Sequence, residues 1–366
     1  MDDEIGERKA DHIEICLKEE VKAKKVTTGF EDIHLLHRAI PEIERDKVDL
    51  STTFFGHKFS APIFVGAMTG GTSKATKINA AIAEAVEQLH LGMGVGSQRI
   101  AIDNPEGEYS FSVVREKAPT AFVLANIGGP QLVDKYGVNE AKKAVKMLKA
   151  DALAVHLNAL QEAIQPEGDT NYSGLLRKIG DITQALDVPV IIKETGAGIC
   201  AEDAAMLATK GVAAIDIAGV GGTSWAAVEY YRAKARKDGF SQRLGEIFWD
   251  WGIPTAVSLV ETVKSVDVPV IASGGIRNGT DVVKALTLGA SLASATFPFL
   301  EPAIKGSEDV KKVLQHFVGE VRNTMFLVGA NSIQKLDEVP VMLTGKTAEW
   351  LKLRGFKTED YARRKT

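Results

Sequence analysis

The chain has 366 residues, 45% of them apolar and 25% charged, with a formal net charge of −4 at pH 7; that length suits two ordinary domains or one large α/β barrel with extensions. The slightly acidic balance, without a polybasic segment, excludes nucleic acid and membrane surfaces as expected partners and leaves small molecules. Cys16 and Cys200 are too far apart to suggest a disulfide framework or a zinc knuckle, and no apolar leader or run of about 18 apolar residues occurs, so a soluble, cytoplasmic protein is expected.

Residues 1–60 mix helix-like and turn-like pieces and read as an extension flanking a barrel that spans 61–345, with a tail at 346–366. From residue 61, short runs rich in Val, Ile and Ala recur: APIFVGAM (61–68), LGMGVG (91–96), AFVLANIGG (121–129) and ALAVHLNA (152–159). PVIIKET (189–195), AAIDIAG (213–219), PVIASGGI (269–276) and SLASATF (291–297) complete the set. Between them lie helix-period segments such as NEAKKAVKMLK, where Ala141, Ala144, Val145 and Leu148 form one stripe. Near-continuous apolar strands alternating with amphipathic helices specify a parallel sheet covered by helices. Eight such units close a (β/α)8 TIM barrel, with an open doubly wound sheet as the alternative. DVPV at 187–190 and 267–270 and APIF at 61–64 put proline at a strand start, where no ladder bond is lost. The long interval 223–268, after the sixth strand, reads either as a solvated amphipathic insertion or as a lid over the site.

In such a barrel the C-terminal strand ends build the active site. Polar residues gather there: Thr69, then Ser97, Gln98 and Arg99, then Asn126, then His156, Asn158, Gln161 and Glu162, followed by Lys193, Glu194, Asp216, Ser273, Arg277 and Thr296. SGGIRNGTD places Gly274 and Gly275 between the seventh strand and a helix start, where backbone N–H groups attract a phosphate. That phosphate belongs either to a flavin mononucleotide or to a sugar phosphate. A second glycine cluster, GVGGTSW (219–225), offers the Thr223 hydroxyl. GAGICA (196–201), with Asp216 beyond it, imitates a dinucleotide fingerprint but stands at the fifth unit instead of the first.

With RKADH (8–12), AMTGG (67–71), GSQR (96–99), HLNALQE (156–162), IIKETGAGI, DIAGVGGTSW and SGGIR in that order, the sequence resembles type 2 isopentenyl-diphosphate delta-isomerase, from residue 8 to about 298. The resemblance implies an FMN-bound barrel, a homo-oligomer of tetramer size or larger, that interconverts isopentenyl and dimethylallyl diphosphate. It also implies Mg²⁺ and a reduced flavin, with NAD(P)H as reductant. By similarity, Ala67, Met68 and Thr69 hold one edge of the isoalloxazine, with Ser97, Asn126 and Lys193 also on the flavin, while Thr223, Gly274, Gly275, Ile276, Arg277, Ser294 and Ala295 surround the ribityl phosphate. The substrate's ligands would be Arg8, Lys9, His12, Ser97, Gln98, Arg99, His156 and Asn158; Gln161 would reach the allylic end as the catalytic residue, and Glu162 would hold Mg²⁺. Arg8 and Lys9 would close over the diphosphate when substrate binds, reaching the barrel mouth from the flank or from a neighbouring subunit. The last strand departs from the family pattern, with Ser291 where an acidic residue is expected.

The residue types suit that chemistry. A diphosphate carries about three negative charges and calls for cationic or N–H donors, and Mg²⁺ takes one or two carboxylates together with phosphate oxygens. The bland alternatives are a satisfied core histidine at 156 and a solvated helix-start carboxylate at 162. The reaction has no net redox change, so the flavin's implied part is to stabilise positive charge and assist proton transfer beside the double bond. The competing enzyme is an FMN-dependent 2-hydroxy-acid oxidase, which calls for a histidine base near strands six and seven, yet no histidine lies between 157 and 315. A non-catalytic flavin-binding barrel would not call for so many polar strand ends.

Overall fold

The computed structural model describes residues 2–364, with side chains from residue 8 onward. Twelve strands form among the described residues. β1 (Ile33–Leu35), β2 (Thr52–Phe54) and β3 (His57–Phe59) belong to the extension; β4 (Ile63–Val65), β5 (Gly92–Gly94), β6 (Phe122–Gly128), β7 (Ala152–Leu157), β8 (Val190–Glu194), β9 (Ala214–Asp216), β10 (Val270–Ser273) and β11 (Leu292–Ala295) follow, and β12 (Val341–Leu343) comes last. β4 to β11 pair in sequence order, all parallel, and β11 closes on β4. The eight apolar runs are the eight wall strands, and the open-sheet alternative falls.

Strand alternation divides the core in two. Phe64, Phe122, Leu124, Ala152, Ala154, Ile191, Ala214, Ile271 and Leu292 fill the barrel interior. Their sequence neighbours, such as Val65, Val123, Leu153, Val155 and Ile192, face the helix ring. The β2–β3 hairpin adds Phe54 and Phe59 to the interior cluster. Phe59 packs 6.0 Å from Phe122, and a Cβ at Gly92 would meet the Phe59 ring at 2.8 Å.

Several segments outside the wall carry the site. The helix α1 (Asp2–Lys18) brings Arg8, Lys9, His12, Ile13 and Cys16 to the barrel mouth. The extension then crosses the loops after β9 and β10: Ala23 N–H donates to Gly222 O, Ser224 N–H to Val21 O, and Thr28 lies against Gly221 and Gly275. β12 pairs antiparallel with β1 instead of joining the wall, so the two segments flanking the barrel are tied together. The 223–268 interval folds into helices Trp225–Ala235, Gly239–Ile247 and Thr255–Val263. Its first helix is not a solvated insertion, because Glu229, Arg232 and several alanines on it are buried.

Candidate active site

A cavity of about 270 Å³ opens at the C-terminal ends of the strands, roofed by α1. At one end Arg8, Lys9 and Arg99 converge with His156 and Asn158. Lys9 Nζ donates to Ser97 O at 2.7 Å and lies 5.3 Å from the centre of the Phe111 ring. Burial, then the charges of Arg8 and Arg99, pushes the Lys9 ammonium down to about 7. Arg8 is lowered by burial and by the neighbouring Arg99 and Arg232. Cations that depress one another in a buried site are matched by an incoming anion. The chain's own helix α1 supplies Arg8 and Lys9, so of the two expected routes to the mouth, the flank and a neighbouring subunit, the residues take the flank.

His156 completes this end in its neutral form. Burial, then Lys193 and Arg99, pushes its imidazole down to about 4. Its Nδ1 lies 2.7 Å from Asn126 Oδ1, and the Asn126 amide nitrogen donates to Val95 O. That amide orientation assigns the proton to Nδ1 and leaves Nε2 unprotonated.

The helix Ala159–Ile164, directly after β7, carries Gln161 and Glu162, both buried. Glu162 Oε1 accepts from Asn158 Nδ2 at 2.8 Å, while Oε2 accepts from Gln165 Nε2 at 2.5 Å and from the Asp169 N–H at 2.7 Å. A carboxylate offers about four acceptor positions, so three donors leave room for one cation contact. No group of three or more His, Cys, Asp or Glu side chains that could hold a metal occurs among the described residues. Mg²⁺ at Glu162 would therefore take its other ligands from phosphate oxygens and water, as this ion commonly does. Gln161 Nε2 donates to Glu229 Oε1 at 2.9 Å, and His12 Nε2 meets the same oxygen at 3.1 Å. Arg232 pairs with the other oxygen at 2.5 Å. Burial alone would raise the Glu229 carboxyl, but the His12 hydrogen bond and the Arg232 charge hold it at about 2.

The opposite end has the form of a phosphate cradle. Gly274 and Gly275 adopt φ of +98° and +75°, and Cβ atoms there would meet Gly219 O at 2.1 Å and Thr28 Cγ2 at 2.4 Å. Only glycine gives that backbone and that approach. Thr69 Oγ1, Asn158 Oδ1, Arg277 Nη2 and Ser294 Oγ are buried without a hydrogen-bond partner among the described residues. Each such group is destabilising by roughly 1–3 kcal/mol until satisfied, and all four residues line the cavity. A flavin mononucleotide, with phosphate, ribityl hydroxyls and ring edge, fits the Thr69, Arg277 and Ser294 groups, while the Asn158 amide oxygen, an acceptor, belongs to the cationic end beside Glu162. Lys193, which also lines the cavity, pairs with buried Asp216 at 3.3 Å; Asp216 in turn accepts from Ser273 Oγ. The GAG turn after β8 has another use. The N–H groups of Thr195, Gly196, Ala197 and Gly198 all donate to Glu194 Oε2, at 2.5–3.2 Å. Those donors are engaged internally, which removes the dinucleotide reading.

The structure brings together at this cavity Arg8, Lys9, His12, Ala67, Met68, Thr69, Ser97, Arg99, Asn126, His156, Asn158, Gln161, Glu162, Lys193, Thr223, Gly274, Gly275, Ile276, Arg277, Ser294 and Ala295. Gln98 is the exception and corrects the expectation of a substrate ligand. Its side chain is fully buried, donates to Ala144 O at 2.9 Å and accepts from Asn126 N–H at 2.8 Å, tying a covering helix to β6. Ser97 lines the cavity while Gln98, one residue on, packs away from it. Sequence reasoning missed Gln131, Gln165 and Trp225 on the lining, and Glu229, Arg232 and Asp169 behind it.

The FMN-dependent dehydrogenase family description matches residues 2–104 and 139–342. Curated proteins named isopentenyl-diphosphate delta-isomerase match almost end to end. That of Methanosarcina barkeri is 52% identical over 98% of this chain and 97% of its own. That of Methanothermobacter thermautotrophicus is 50% identical over 98% and 99%. The chain belongs to the isopentenyl-diphosphate delta-isomerase family. A further relative so named, from Pyrococcus furiosus, is 51% identical over 95% of this chain and 89% of its own. Among solved structures, the flavin-binding domain of baker's yeast flavocytochrome b2 superposes with a TM-score of 0.63 at 21% identity, covering 87% of this chain and 77% of that one. A mandelate oxidase variant gives 0.60 at 16%, over 92% and 94%. Both likenesses show the shared barrel fold, on which the delta-isomerase family places its own residues.

Proposed function

We propose that this protein interconverts isopentenyl diphosphate and dimethylallyl diphosphate, with FMN held by the glycine cradle and Mg²⁺ at Glu162. The observation that supports it best is the convergence of Arg8, Lys9, Arg99 and neutral His156 beside one buried carboxylate, a donor set suited to a diphosphate–metal pair. A substrate carboxylate would use fewer cations and would call for a histidine base, which the loops after β9 and β10 lack.

In this reading the diphosphate lies under α1, and Arg8, Lys9 and Arg99 make charge-assisted bonds to it. His156 Nε2 gains a proton as that anion arrives, since the added negative charge favours the imidazolium. Gln161 is oriented by Glu229, which accepts from its amide nitrogen at 2.9 Å; its carbonyl oxygen accepts only a long 3.4 Å bond from Asn158 Nδ2 and keeps a second lone pair for substrate. Trp225, ring-to-ring with His12 at 5.1 Å, walls the prenyl end and excludes water. When bound and reduced, FMN would supply electron density and a proton-transfer site beside the double bond. Lys193, held by Asp216, would fix one edge of the ring. NAD(P)H is the proposed reductant.

A homo-oligomer of tetramer size or larger and a cytoplasmic location belong to the same proposal. Supporting association, Phe240, Ile247 and Trp251 are exposed by 75%, 59% and 62% on and just beyond the helix Gly239–Ile247. No helix among the described residues is long and apolar enough to cross a membrane. The test is product analysis of the photochemically reduced, FMN-loaded protein with isopentenyl diphosphate and Mg²⁺. Formation of dimethylallyl diphosphate is expected, and oxidation of a 2-hydroxy acid in its place would overturn the reading.

A further inference from the structure

The five residues after the Glu162 helix, Gln165 to Asp169, form a strap that the proposed chemistry leaves unexplained. It folds back so tightly that a Cβ at Gly168 would meet Glu162 O at 1.8 Å. Its two ends close on one carboxylate: the Gln165 side chain and the Asp169 N–H both donate to Glu162 Oε2. The Asp169 side chain then leaves toward the cation end, where Oδ2 accepts from Arg99 Nη1 at 3.0 Å and from Gln131 Nε2 at 2.7 Å. This is the only ion pair of Arg99 among the described residues. At mid-strap Glu167 accepts from Arg232 Nη2 at 2.5 Å.

We propose that Asp169 is a positioning residue that couples the metal ligand to the diphosphate-binding guanidinium: its N–H fixes Glu162 and its carboxylate fixes Arg99. The inference rests on the isomerase reading for the identity of the ligand. Arg99 stands beside Arg8 and Lys9, whose charges repel it, and without a carboxylate on its far side the guanidinium turns toward solvent. With Asp169 in place, one edge of the fork is taken and the other is presented to the cavity. A phosphate held by that edge and a cation on Glu162 are then kept in one fixed geometry, so each ligand favours the other. Because Arg99 grips the diphosphate and not the reacting carbons, the effect belongs to binding and leaves the chemical step alone.

The test uses the FMN-loaded wild type, Asp169→Ala and Asp169→Asn. Calorimetric titration with Mg²⁺ and inorganic pyrophosphate gives affinity without turnover, and steady-state kinetics with isopentenyl diphosphate give KM, kcat and the Mg²⁺ half-saturation. For Asp169→Ala, pyrophosphate affinity should fall about tenfold, and KM and the Mg²⁺ half-saturation should rise together by about tenfold, with kcat within about threefold and flavin content unchanged. Asp169→Asn keeps an acceptor for Arg99 and Gln131 and should shift the same constants by a smaller factor in the same direction; it decides alone if the alanine variant does not fold. Tighter pyrophosphate binding in Asp169→Ala would show that Asp169 merely competes for Arg99 and would overturn the proposal, as would movement of only one of the two constants. A wild type that binds pyrophosphate and Mg²⁺ in this Asp169-dependent way but forms no dimethylallyl diphosphate would sink the isomerase reading and leave the coupling standing.

Discussion

Lys9 gives the sharpest pH prediction. Its ordinary ammonium value, 10.5, falls to about 7 because the group is buried next to Arg8 and Arg99. The direction fixes two signs. For the free protein, the unfolded chain binds this proton more tightly between pH 7 and 10.5, so the destabilisation from Lys9 is complete below about 7 and is relieved as pH rises to 10.5. For ligand binding, a bound diphosphate favours the charged amine, so binding takes up a proton in that same window. At pH 8 a group titrating near 7 is only about one-tenth protonated, so uptake by Lys9 approaches ~0.9 proton. Above pH 7 this group alone should weaken diphosphate binding by up to about tenfold per pH unit.

The perturbation is Lys9→Met, which keeps an unbranched side chain without the charge. Calorimetry of FMN-loaded protein with Mg²⁺ and inorganic pyrophosphate at pH 8, in buffers of differing ionisation enthalpy, counts the protons. Taking the difference between wild type and variant cancels the titration of the ligand itself. Wild type should take up close to one proton more than Lys9→Met, and that excess should shrink toward zero as pH falls to 6. Equal proton numbers for the two proteins at pH 8 would refute the argument, since Lys9 would then be charged already in the free enzyme or remote from the ligand.

Three further outcomes follow from the geometry. Glu162→Gln should leave the flavin spectrum unchanged and raise the Mg²⁺ half-saturation at least about tenfold in an activity titration, because an anionic ligand to a hard cation is lost. Gly275→Ala should purify colourless: the added Cβ meets Thr28 at 2.4 Å in a backbone of φ +75°, and the ratio of flavin to protein absorbance measures the loss. Gln98→Leu should leave KM unchanged while lowering unfolding free energy by about 1–3 kcal/mol in a denaturant titration, since the Asn126 N–H and Ala144 carbonyl lose their buried partner.

The parts of this protein that could be read without coordinates are those whose cause is local. Each wall strand declares itself as an apolar run, because a strand covered on both sides has no polar face to offer. The glycine turn after β10 and the polar ends of β7 and β8 are legible for a similar reason, since chemistry and turn lie within a few residues of each other. Gln98 misled because polar residues just past a strand carry no mark of which side they face, and one step separates the cavity from the helix interface. The 223–268 interval was opaque for another reason. Glu229 reaches Gln161 and His12, 68 and 217 residues away, and no local pattern encodes such a meeting. What could have drawn attention is Glu229 and Arg232 at i and i+3 in WAAVEYYRAKA, an ion pair on a helix otherwise rich in small and aromatic residues.

The extension shows how a periodicity argument recovers part of what locality hides. At about 100° per residue, positions 8, 9, 12, 13 and 16 fall within an arc of about 140° on a helix. Along the helix axis within that arc, Arg8 and Lys9, then His12, give way to Ile13 and Cys16, so one face passes from charged and polar to apolar over roughly 12 Å at ~1.5 Å per residue. A solvated flanking helix has no use for cations and hydrophobes on the same face, because it would bury the charges with the hydrophobes or expose both. A ligand with an anionic head and a hydrocarbon tail does. All five residues of that face line the cavity, so the match between the polarity of α1 and that of a prenyl diphosphate is evidence for the substrate class that does not depend on the flavin site.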